Sequence, residues 1–311
     1  MNSTDRHLAE GKTAWGLTWR PTDILLLSSL GFFTVLLGIF HPRVNGWLST
    51  LFINIAIALI YVILMAVNQR IRSRWLWFLV RVAAVQILFA YMFEMVHPMQ
   101  LIFHGQWNDP AVLSLESTLF GIQPTLWLEQ FIHPVLTEWL MFSYVVYIPI
   151  YPVLAGIIFF KHRESALEDF LFTLGLTNVV CDFGFILFPV AGPMVAIGHL
   201  YTVPLDGYLF TWIGEFIRNH LHPVGGTIPS PHGAVATVMW LMAFRYHRPS
   251  FYILTPIILS LYVSTFYGRY HYVTDIVVGV LVAAIVFWVS PVLQGRRGRR
   301  MQTVTVPGGL R

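Results

Sequence analysis

The sequence predicts an all-α, polytopic integral membrane protein with about eight transmembrane helices. Hydrophobic residues make up 56% of its 311 positions and charged residues 11%, whereas soluble domains carry about 25% charged residues. The apolar residues gather into runs that approach the roughly 20 residues needed to cross a bilayer as a helix. This distribution argues against a soluble domain and favours a single transmembrane domain over residues 22–294.

Eight apolar runs define the expected spans, and short polar or proline-containing stretches separate most of them. A bilayer-spanning chain satisfies its backbone hydrogen bonds internally, so we expect each run to be a helix. The runs cover 22–40, 47–67, 75–96, 138–160, 168–188, 232–246, 250–267 and 272–294.

The segment 97–137 between the third and fourth runs is too polar to span and too apolar to be a solvated coil. It mixes aromatic residues such as Trp107 and Trp127 with the carboxylates Asp109 and Glu116. We expect amphipathic pieces that lie at the outer membrane interface. They form either a plain aromatic belt or a platform over which a substrate approaches.

Basic clusters predict the orientation, because cytoplasmic loops are enriched in Lys and Arg. All five clusters fall on one side if both termini are cytoplasmic, which makes 1–21 a cytoplasmic segment and 295–311 a basic cytoplasmic tail. We interpret the tail as a membrane anchor rather than a nucleic-acid-binding element. The clusters are Arg6, Lys12 and Arg20; Arg70, Arg72 and Arg74; Lys161, His162 and Arg163; Arg245 and Arg248; and Arg296, Arg297, Arg299 and Arg300.

Several simple features narrow the functional class. The single cysteine, Cys181, cannot form an intramolecular disulfide or a thiolate metal site. The polar first twenty residues lack the apolar run of a removable signal peptide, and no nucleotide-binding glycine loop or His-Glu-x2-His motif is present. We therefore expect no cofactor, no metal, no nucleic acid and no obligate protein partner.

The stretch Pro229–Gly233 has the form of a helix start. Ser230 suits the N-cap and Pro231 the first helical position. We expect His232 and Gly233 to expose backbone N–H groups at this helix start, where a phosphate oxygen would bind, and the His232 side chain to project into the same place. His232 would then act as a general acid or base. The alternative interpretation is that Ser-Pro-His merely caps a helix.

The second stretch, Tyr270–Asp275, places a histidine and a carboxylate four residues apart. On a helix His271 and Asp275 would share a face, so that the carboxylate holds one ring nitrogen and leaves the other as a nucleophile. Ionisable groups near hydrocarbon are expensive unless they serve a function. The apolar hairpin between the stretches returns to the same membrane face, so we expect His232 and His271 to meet there, on the extracytoplasmic side.

Pro229-Ser230-x-His232 and His271-x3-Asp275 resemble the second and third motifs of the type 2 phosphatidic acid phosphatase (PAP2) superfamily. The resemblance covers about 170–290 and implies a PAP2-type helical core in the C-terminal half. In that family the third-motif histidine attacks phosphorus, the aspartate orients it, and the second-motif histidine protonates the leaving group without a metal. The resemblance assigns these roles to His271, Asp275 and His232.

The remaining motif positions are more similar to one branch of that superfamily. Phosphatases carry Lys-x6-Arg-Pro, whereas 188–193 reads Phe-Pro-Val-Ala-Gly-Pro, and Ser264-Thr265 stands where Ser-Arg usually opens the third motif. Together with Phe120-Gly121-x2-Pro124-x2-Trp127-Leu128, this resembles the inositol phosphorylceramide synthase and sphingomyelin synthase branch. That branch moves phosphodiester headgroups between lipids, so the resemblance implies membrane phospholipids or sphingolipid-like lipids as the partners of this protein.

Two phosphate-neutralising cations of the family are thus missing, and other residues are candidates to replace them. Arg269, two residues before His271, either contacts phosphate or snorkels to the interface. Arg218, His220 and His222 precede Pro229 in an outer loop, where they either reach the headgroup or are solvated.

The sequence therefore favours an enzyme that cleaves a lipid phosphoester through a phosphohistidine and transfers the headgroup to another lipid. Lipid-phosphate hydrolysis, acting on phosphatidate or a prenyl diphosphate, is the alternative. A lipid transporter or binding protein with a decayed catalytic site is a third possibility, and it leaves the joint presence of His232, His271 and Asp275 unexplained.

Overall fold

The computed structural model describes residues 12–14, 17–221 and 224–295. His222, the first eleven residues and the basic tail from Arg296 onward lie outside the described residues. A short antiparallel hairpin, β1 (Lys12–Ala14) and β2 (Leu17–Trp19), precedes the helices. The α-helices are α1 (Pro21–Ile39), α2 (Trp47–Asn68), α3 (Arg74–Val96), α4 (Asp109–Phe120), α5 (Pro124–Trp127), α6 (Pro134–Leu187), α7 (Pro193–Ala196), α8 (Leu209–Leu221), α9 (Pro231–Tyr246), α10 (Arg248–Tyr267) and α11 (Val273–Leu293).

Within the described ranges, six helices are long and apolar enough to cross a membrane, namely α1, α2, α3, α6, α10 and α11. The chain is thus a helical membrane protein, but the expected count of about eight spans is not confirmed. The difference arises at two places. The expected fourth and fifth runs lie in the single 54-residue α6, and the sixth lies in α9, which has only 16 residues.

Helix α6 is interrupted at Arg163, whose φ of 70° and ψ of −170° are not helical. An unbroken helix of this length would extend for about 80 Å, far beyond the thickness of a bilayer. The interruption lets the chain fold back, so that Tyr151 on the first arm and Phe170 on the second stack with ring centroids 5.8 Å apart.

Helix α9 lies at the centre of the C-terminal half and packs against α6, α10 and α11. Residues 233–239 are buried without exception. Small residues allow α9 and α11 to approach closely: a Cβ built on Gly279 would lie 2.6 Å from the Ser230 carbonyl oxygen. This approach brings the beginnings of α9 and α11 together.

A buried ionic network joins α1 and α3 to the second arm of α6. The fully buried Arg81 guanidinium binds both Asp23 and Glu168, the latter at 2.7 Å. Arg20 reaches the same Glu168 carboxylate at 2.9 Å. Because each buried carboxylate has a guanidinium partner, the network avoids the large desolvation cost of an unpaired charge and fixes the N-terminal helices against α6.

Candidate active site

His271 lies in the short connection between α10 and α11. Its Nδ1 is 3.1 Å from the Thr227 carbonyl oxygen and 3.3 Å from Asp275 Oδ2. A carbonyl oxygen only accepts hydrogen bonds, so Nδ1 carries the proton and Nε2 carries the lone pair. His271 and Asp275 are both fully buried, and burial lowers the pKa of His271 to about 3. The ring is therefore neutral, with its nucleophilic nitrogen directed away from Asp275.

The contact between His271 and Asp275 is formed by a turn and not, as expected, by one helix face. Helix α11 begins only at Val273. Asp275 Oδ2 accepts the Tyr272 backbone N–H at 3.0 Å, and Arg269 adopts a left-handed φ of 67°. The backbone N–H groups of Tyr270 and His271 both donate to the Thr265 carbonyl oxygen. The carboxylate thus caps α11 and holds the ring that precedes it.

His232 meets His271 across the junction of α9 and α11. His232 Nδ1 is 3.1 Å from His271 Nε2, and since Nε2 has the lone pair, His232 donates this hydrogen bond. The His232 ring stacks on Tyr144 at 4.9 Å and lies 5.4 Å from the Tyr147 ring. The structure therefore brings together the three residues that the resemblance singled out.

The start of α9 differs from expectation at one atom. Ser230 is the N-cap and Pro231 the first helical residue, as predicted. The expected free N–H of Gly233 is wrong, because this group donates to Ser230 Oγ at 3.2 Å and the residue packs against Ile276. An N-cap hydroxyl satisfies the N–H of the third helical residue. Ser230 also donates its own N–H to the Asp275 carbonyl oxygen at 3.0 Å, which joins the two motifs.

The arginines proposed as phosphate ligands have glutamate partners. Arg269 Nη2 is 2.9 Å from Glu129 Oε1, and its guanidinium lies 4.2 Å from the Tyr201 ring centroid. Burial lowers the pKa of Arg269. Arg218 forms an ion pair with Glu215 on α8.

Arg218 is also 6.0 Å from the Tyr270 ring, which stacks on Tyr144 at 4.4 Å. Tyr144 in turn stacks on His232, so two aromatic rings lie between Arg218 and His232 along this stack. His220 binds the Phe216 carbonyl oxygen through Nδ1. Across the described ranges, no group of three or more His, Cys, Asp or Glu residues is arranged to hold a metal ion.

Helix α4 contributes two buried carboxylates that sequence reasoning assigned only to the membrane interface. Asp109 accepts the backbone N–H groups of Ala191 and Gly192, at 2.8 and 2.9 Å, and the Tyr272 hydroxyl at 2.9 Å. Glu116 accepts the Thr274 N–H at 2.8 Å, and burial raises the pKa of Glu116. Their spacing of seven residues, two helical turns, was a signal that they share a face.

A cavity of about 310 Å³ extends from His232 and is lined by residues of α3, α6, α8 and α9. Aromatic and apolar side chains form most of its wall, with a few polar groups among them. The lining residues are Gln86, Phe89, Ala90, Phe93 and Glu94 of α3; Tyr144, Tyr147, Ile148, Tyr151, Leu174 and Asn178 of α6; Ile217; Gly226; and Pro231, His232, Val235 and Met239.

Comparison with known proteins supports the resemblance seen in the motifs. The profile of the PAP2 superfamily matches residues 110–289, a range that contains the paired histidines and Asp275. Searches of curated proteins and of solved structures returned no match. Because the matched range is more than half of the 311 residues, the chain belongs to the PAP2 superfamily.

Proposed function

We propose that the protein is a lipid phosphoesterase that works through a phosphohistidine on His271 and transfers a phospho-headgroup from one lipid to another. The geometry of the His271 ring carries this proposal. Its Nδ1–H is held by Thr227 and Asp275, and its Nε2 lone pair faces His232 Nδ1 at 3.1 Å. This is the arrangement of an oriented nucleophile beside an acid–base partner.

In the first step, His271 Nε2 attacks phosphorus, the bond from phosphorus to the lipid oxygen breaks, and His232, as an imidazolium, gives a proton to that oxygen and becomes neutral. In the second step, an acceptor hydroxyl loses its proton to His232, its oxygen bonds phosphorus, and the bond from phosphorus to Nε2 breaks. The Thr227 carbonyl and the Asp275 carboxylate stabilise the positive ring of the intermediate. Substrate must separate the two rings, because the lone pair cannot accept a hydrogen bond and attack phosphorus at once.

Transfer of a phosphodiester headgroup, as in the inositol phosphorylceramide synthase and sphingomyelin synthase branch, is favoured by the charges around the site. The family's first-motif cations are absent from 188–193. Arg269 and Arg218 are engaged with Glu129 and Glu215. A phosphodiester carries one negative charge and a phosphomonoester close to two, so a site with few uncommitted cations suits the diester.

Two alternatives remain as outcomes of an experiment. A phosphatase would resolve the same phosphohistidine with water and release phosphate from phosphatidate or a prenyl diphosphate. A transporter or binding protein with a decayed site would bind lipid without turnover. The binding-protein alternative is less well supported, because the catalytic geometry is intact: the Thr227 carbonyl still fixes the tautomer of His271, and His232 still lies beside it.

The deciding experiment is a lipid-product assay on purified protein. It offers phosphatidylinositol, phosphatidate or undecaprenyl diphosphate, each with and without ceramide or diacylglycerol. We expect a new phosphodiester lipid that disappears in His271→Ala and persists in His199→Ala, a change at an exposed histidine that does not line the cavity. Free phosphate that depends on His271 would identify a phosphatase. Lipid binding without any product that depends on His271 would identify a binding protein.

We further propose that both termini are cytoplasmic and that the site faces the extracytoplasmic side, as the basic clusters indicate. Thr202→Cys, at an exposed position of the loop before α8, should react with a membrane-impermeant maleimide in intact cells. Ser73→Cys, an exposed position at the start of α3, should react only after permeabilisation. The reverse pattern would place the site in the cytoplasm.

A further inference from the structure

One wall of the cavity beside His232 is formed by residues that lie outside the range matched to the family. Residues 86–94 of α3 line it, whereas the PAP2 match begins at residue 110. Along α6, the lining runs from Tyr144, which stacks on His232, to Tyr151, two turns and about 10 Å further. The cavity is therefore a slot that leads from the paired histidines along the helix axes.

One side of this slot reaches the surface of the helical bundle. Gln86, Ala90 and Glu94 recur every four residues on α3 and are all exposed, and Ile148 on the facing arm of α6 is 59% exposed. A glutamine and a glutamate on the flank of a membrane helix are unfavourable against hydrocarbon alone. Their presence along one stripe indicates an opening through which a polar group passes.

The polar groups of the slot suit an uncharged ligand. Beyond His232 at its catalytic end, they are the amides of Gln86 and Asn178, the phenols of Tyr144, Tyr147 and Tyr151, and the Glu94 carboxylate, and no described lining residue is Lys or Arg. An anionic phosphate would find no counter-charge there. A hydroxyl group, which both donates and accepts hydrogen bonds, fits these partners.

Tyr151 supplies an independent observation. Its side chain is 7% exposed, and its hydroxyl has no hydrogen-bond partner among the described residues. A buried hydroxyl without a partner is unfavourable, and this one belongs to a residue that lines the slot. A ligand hydroxyl or carbonyl in the slot would satisfy it.

We infer that the slot between α3, α6 and α9 holds the uncharged lipid-alcohol part of the substrates, admitted from the bilayer between Ala90 and Ile148. This inference rests on the proposed function. The lipid alcohol that leaves phosphorus in the first step and the one that attacks in the second both exchange a proton with His232. By microscopic reversibility they occupy the same place, while the phosphate and headgroup stay at His271.

A pair of matched variants tests the opening. Ala90→Trp would fill it, whereas Ala83→Trp adds the same side chain at an exposed position two turns away that does not line the slot. The substrates are phosphatidylinositol with dioleoylglycerol, and the water-soluble diester p-nitrophenyl phosphorylcholine, whose leaving group needs no lipid site. We expect Ala90→Trp to lower kcat/KM for the lipid by at least about tenfold relative to the soluble diester, and Ala83→Trp to change neither.

A binding measurement separates this inference from the proposed function. A diazirine-bearing diacylglycerol is photo-crosslinked to His271→Ala protein in phosphatidylcholine vesicles, and the labelled peptides are mapped. Label on α3 and the first arm of α6 that Ala90→Trp abolishes and Ala83→Trp retains would support the slot even if no His271-dependent turnover is found. Equal labelling of both Trp variants, or label confined to other helices, would overturn it.

The partnerless hydroxyl allows a milder test. Tyr151→Phe removes only that group, so the thermal midpoint should be unchanged or higher. If the hydroxyl contacts the lipid alcohol, KM for dioleoylglycerol rises several-fold while hydrolysis of p-nitrophenyl phosphorylcholine is unaffected. An unchanged KM would show that Tyr151 has only a packing role and would contradict the inferred contact between its hydroxyl and the lipid alcohol.

Discussion

The Tyr272 hydroxyl donates to Asp109 Oδ1 at 2.9 Å, so the residue that follows His271 is anchored to α4. The same carboxylate accepts the Ala191 and Gly192 N–H groups. One buried side chain thus connects the 188–193 loop, which stands in place of the family's first motif, with the turn that carries His271. We regard Asp109 and Tyr272 as positioning residues.

Tyr272→Phe is expected to lower kcat roughly tenfold with little change in KM, because one lost hydrogen bond loosens the His271 turn without removing a substrate contact. Steady-state kinetics with the lipid substrate measure this split. Tyr208→Phe, at a side chain that is 62% exposed, is the matched control. An unaltered kcat in Tyr272→Phe, or a loss confined to KM, would contradict a positioning role.

His271 is expected to stay neutral across the working pH range. Burial lowers its pKa to about 3 from an ordinary value of 6.5, and the Thr227 carbonyl selects the Nδ1–H tautomer. Nitrogen-15 NMR of histidine-labelled protein should show one ring in this form, unchanged between about pH 5 and 8, whose signal is lost in His271→Gln. A ring assigned to His271 that titrates near 6.5 would refute the prediction.

The same pKa shift makes the fold sensitive to acid. Below pH 6.5 the unfolded chain binds a proton at this ring, whereas the folded chain does not until about pH 3. The free energy of unfolding therefore decreases as the pH is lowered through this window, and His271 contributes up to about 1.4 kcal/mol of this loss per pH unit. Denaturation midpoints of wild type and His271→Gln should converge as the pH falls from 6.5 to 4. Parallel curves would rule out this contribution.

Arg269 and Glu129 are expected to act as one unit. Their ion pair is largely buried, so removing either partner leaves a charge that is poorly solvated. Arg269→Gln and Glu129→Gln should each reduce stability and activity, and the double variant should lose little more than either. If Arg269 also contacts phosphate, Arg269→Gln will reduce kcat/KM for the lipid well beyond Glu129→Gln at equal stability.

Arg81→Met is expected to destabilise the protein by about 3–5 kcal/mol, because it leaves Asp23 and Glu168 buried beside an apolar side chain. Arg74→Met changes an exposed arginine on the same helix and serves as the control. The readout is the thermal midpoint in detergent. Equal midpoints for the two variants would show that the network adds nothing to stability.

Gly279→Ala is expected to disturb the site directly, because its Cβ would lie 2.6 Å from the Ser230 carbonyl oxygen and 3.1 Å from the Ala234 nitrogen. Overpacking of this kind costs about 1–3 kcal/mol, and here it pushes α9 from α11. Activity should fall more than it does in Gly38→Ala, where an added Cβ meets nothing within 4 Å. Equal activity would mean that the two helices can separate without loss.

Several features of the molecule were open to sequence reasoning because they depend on local chemistry. The balance of apolar and charged residues predicted a helical membrane protein, and Ser230 and Pro231 predicted the start of α9. The two motifs predicted that His232 and His271 lie close together, because the apolar hairpin between them returns to the membrane face from which it began. Family membership followed from the same residues.

Only the tertiary structure shows which residues from remote segments of the chain are in contact. It assigned the Gly233 N–H to Ser230, joined Arg269 to Glu129, and placed Asp109 of α4 beneath the His271 turn. It also opened a slot lined by α3, which carries none of the motif residues. Periodicity and motif spacing describe residues that are neighbours along the chain. The partner of a buried charge depends instead on how helices far apart in sequence pack, because the folded structure minimises unpaired polar groups.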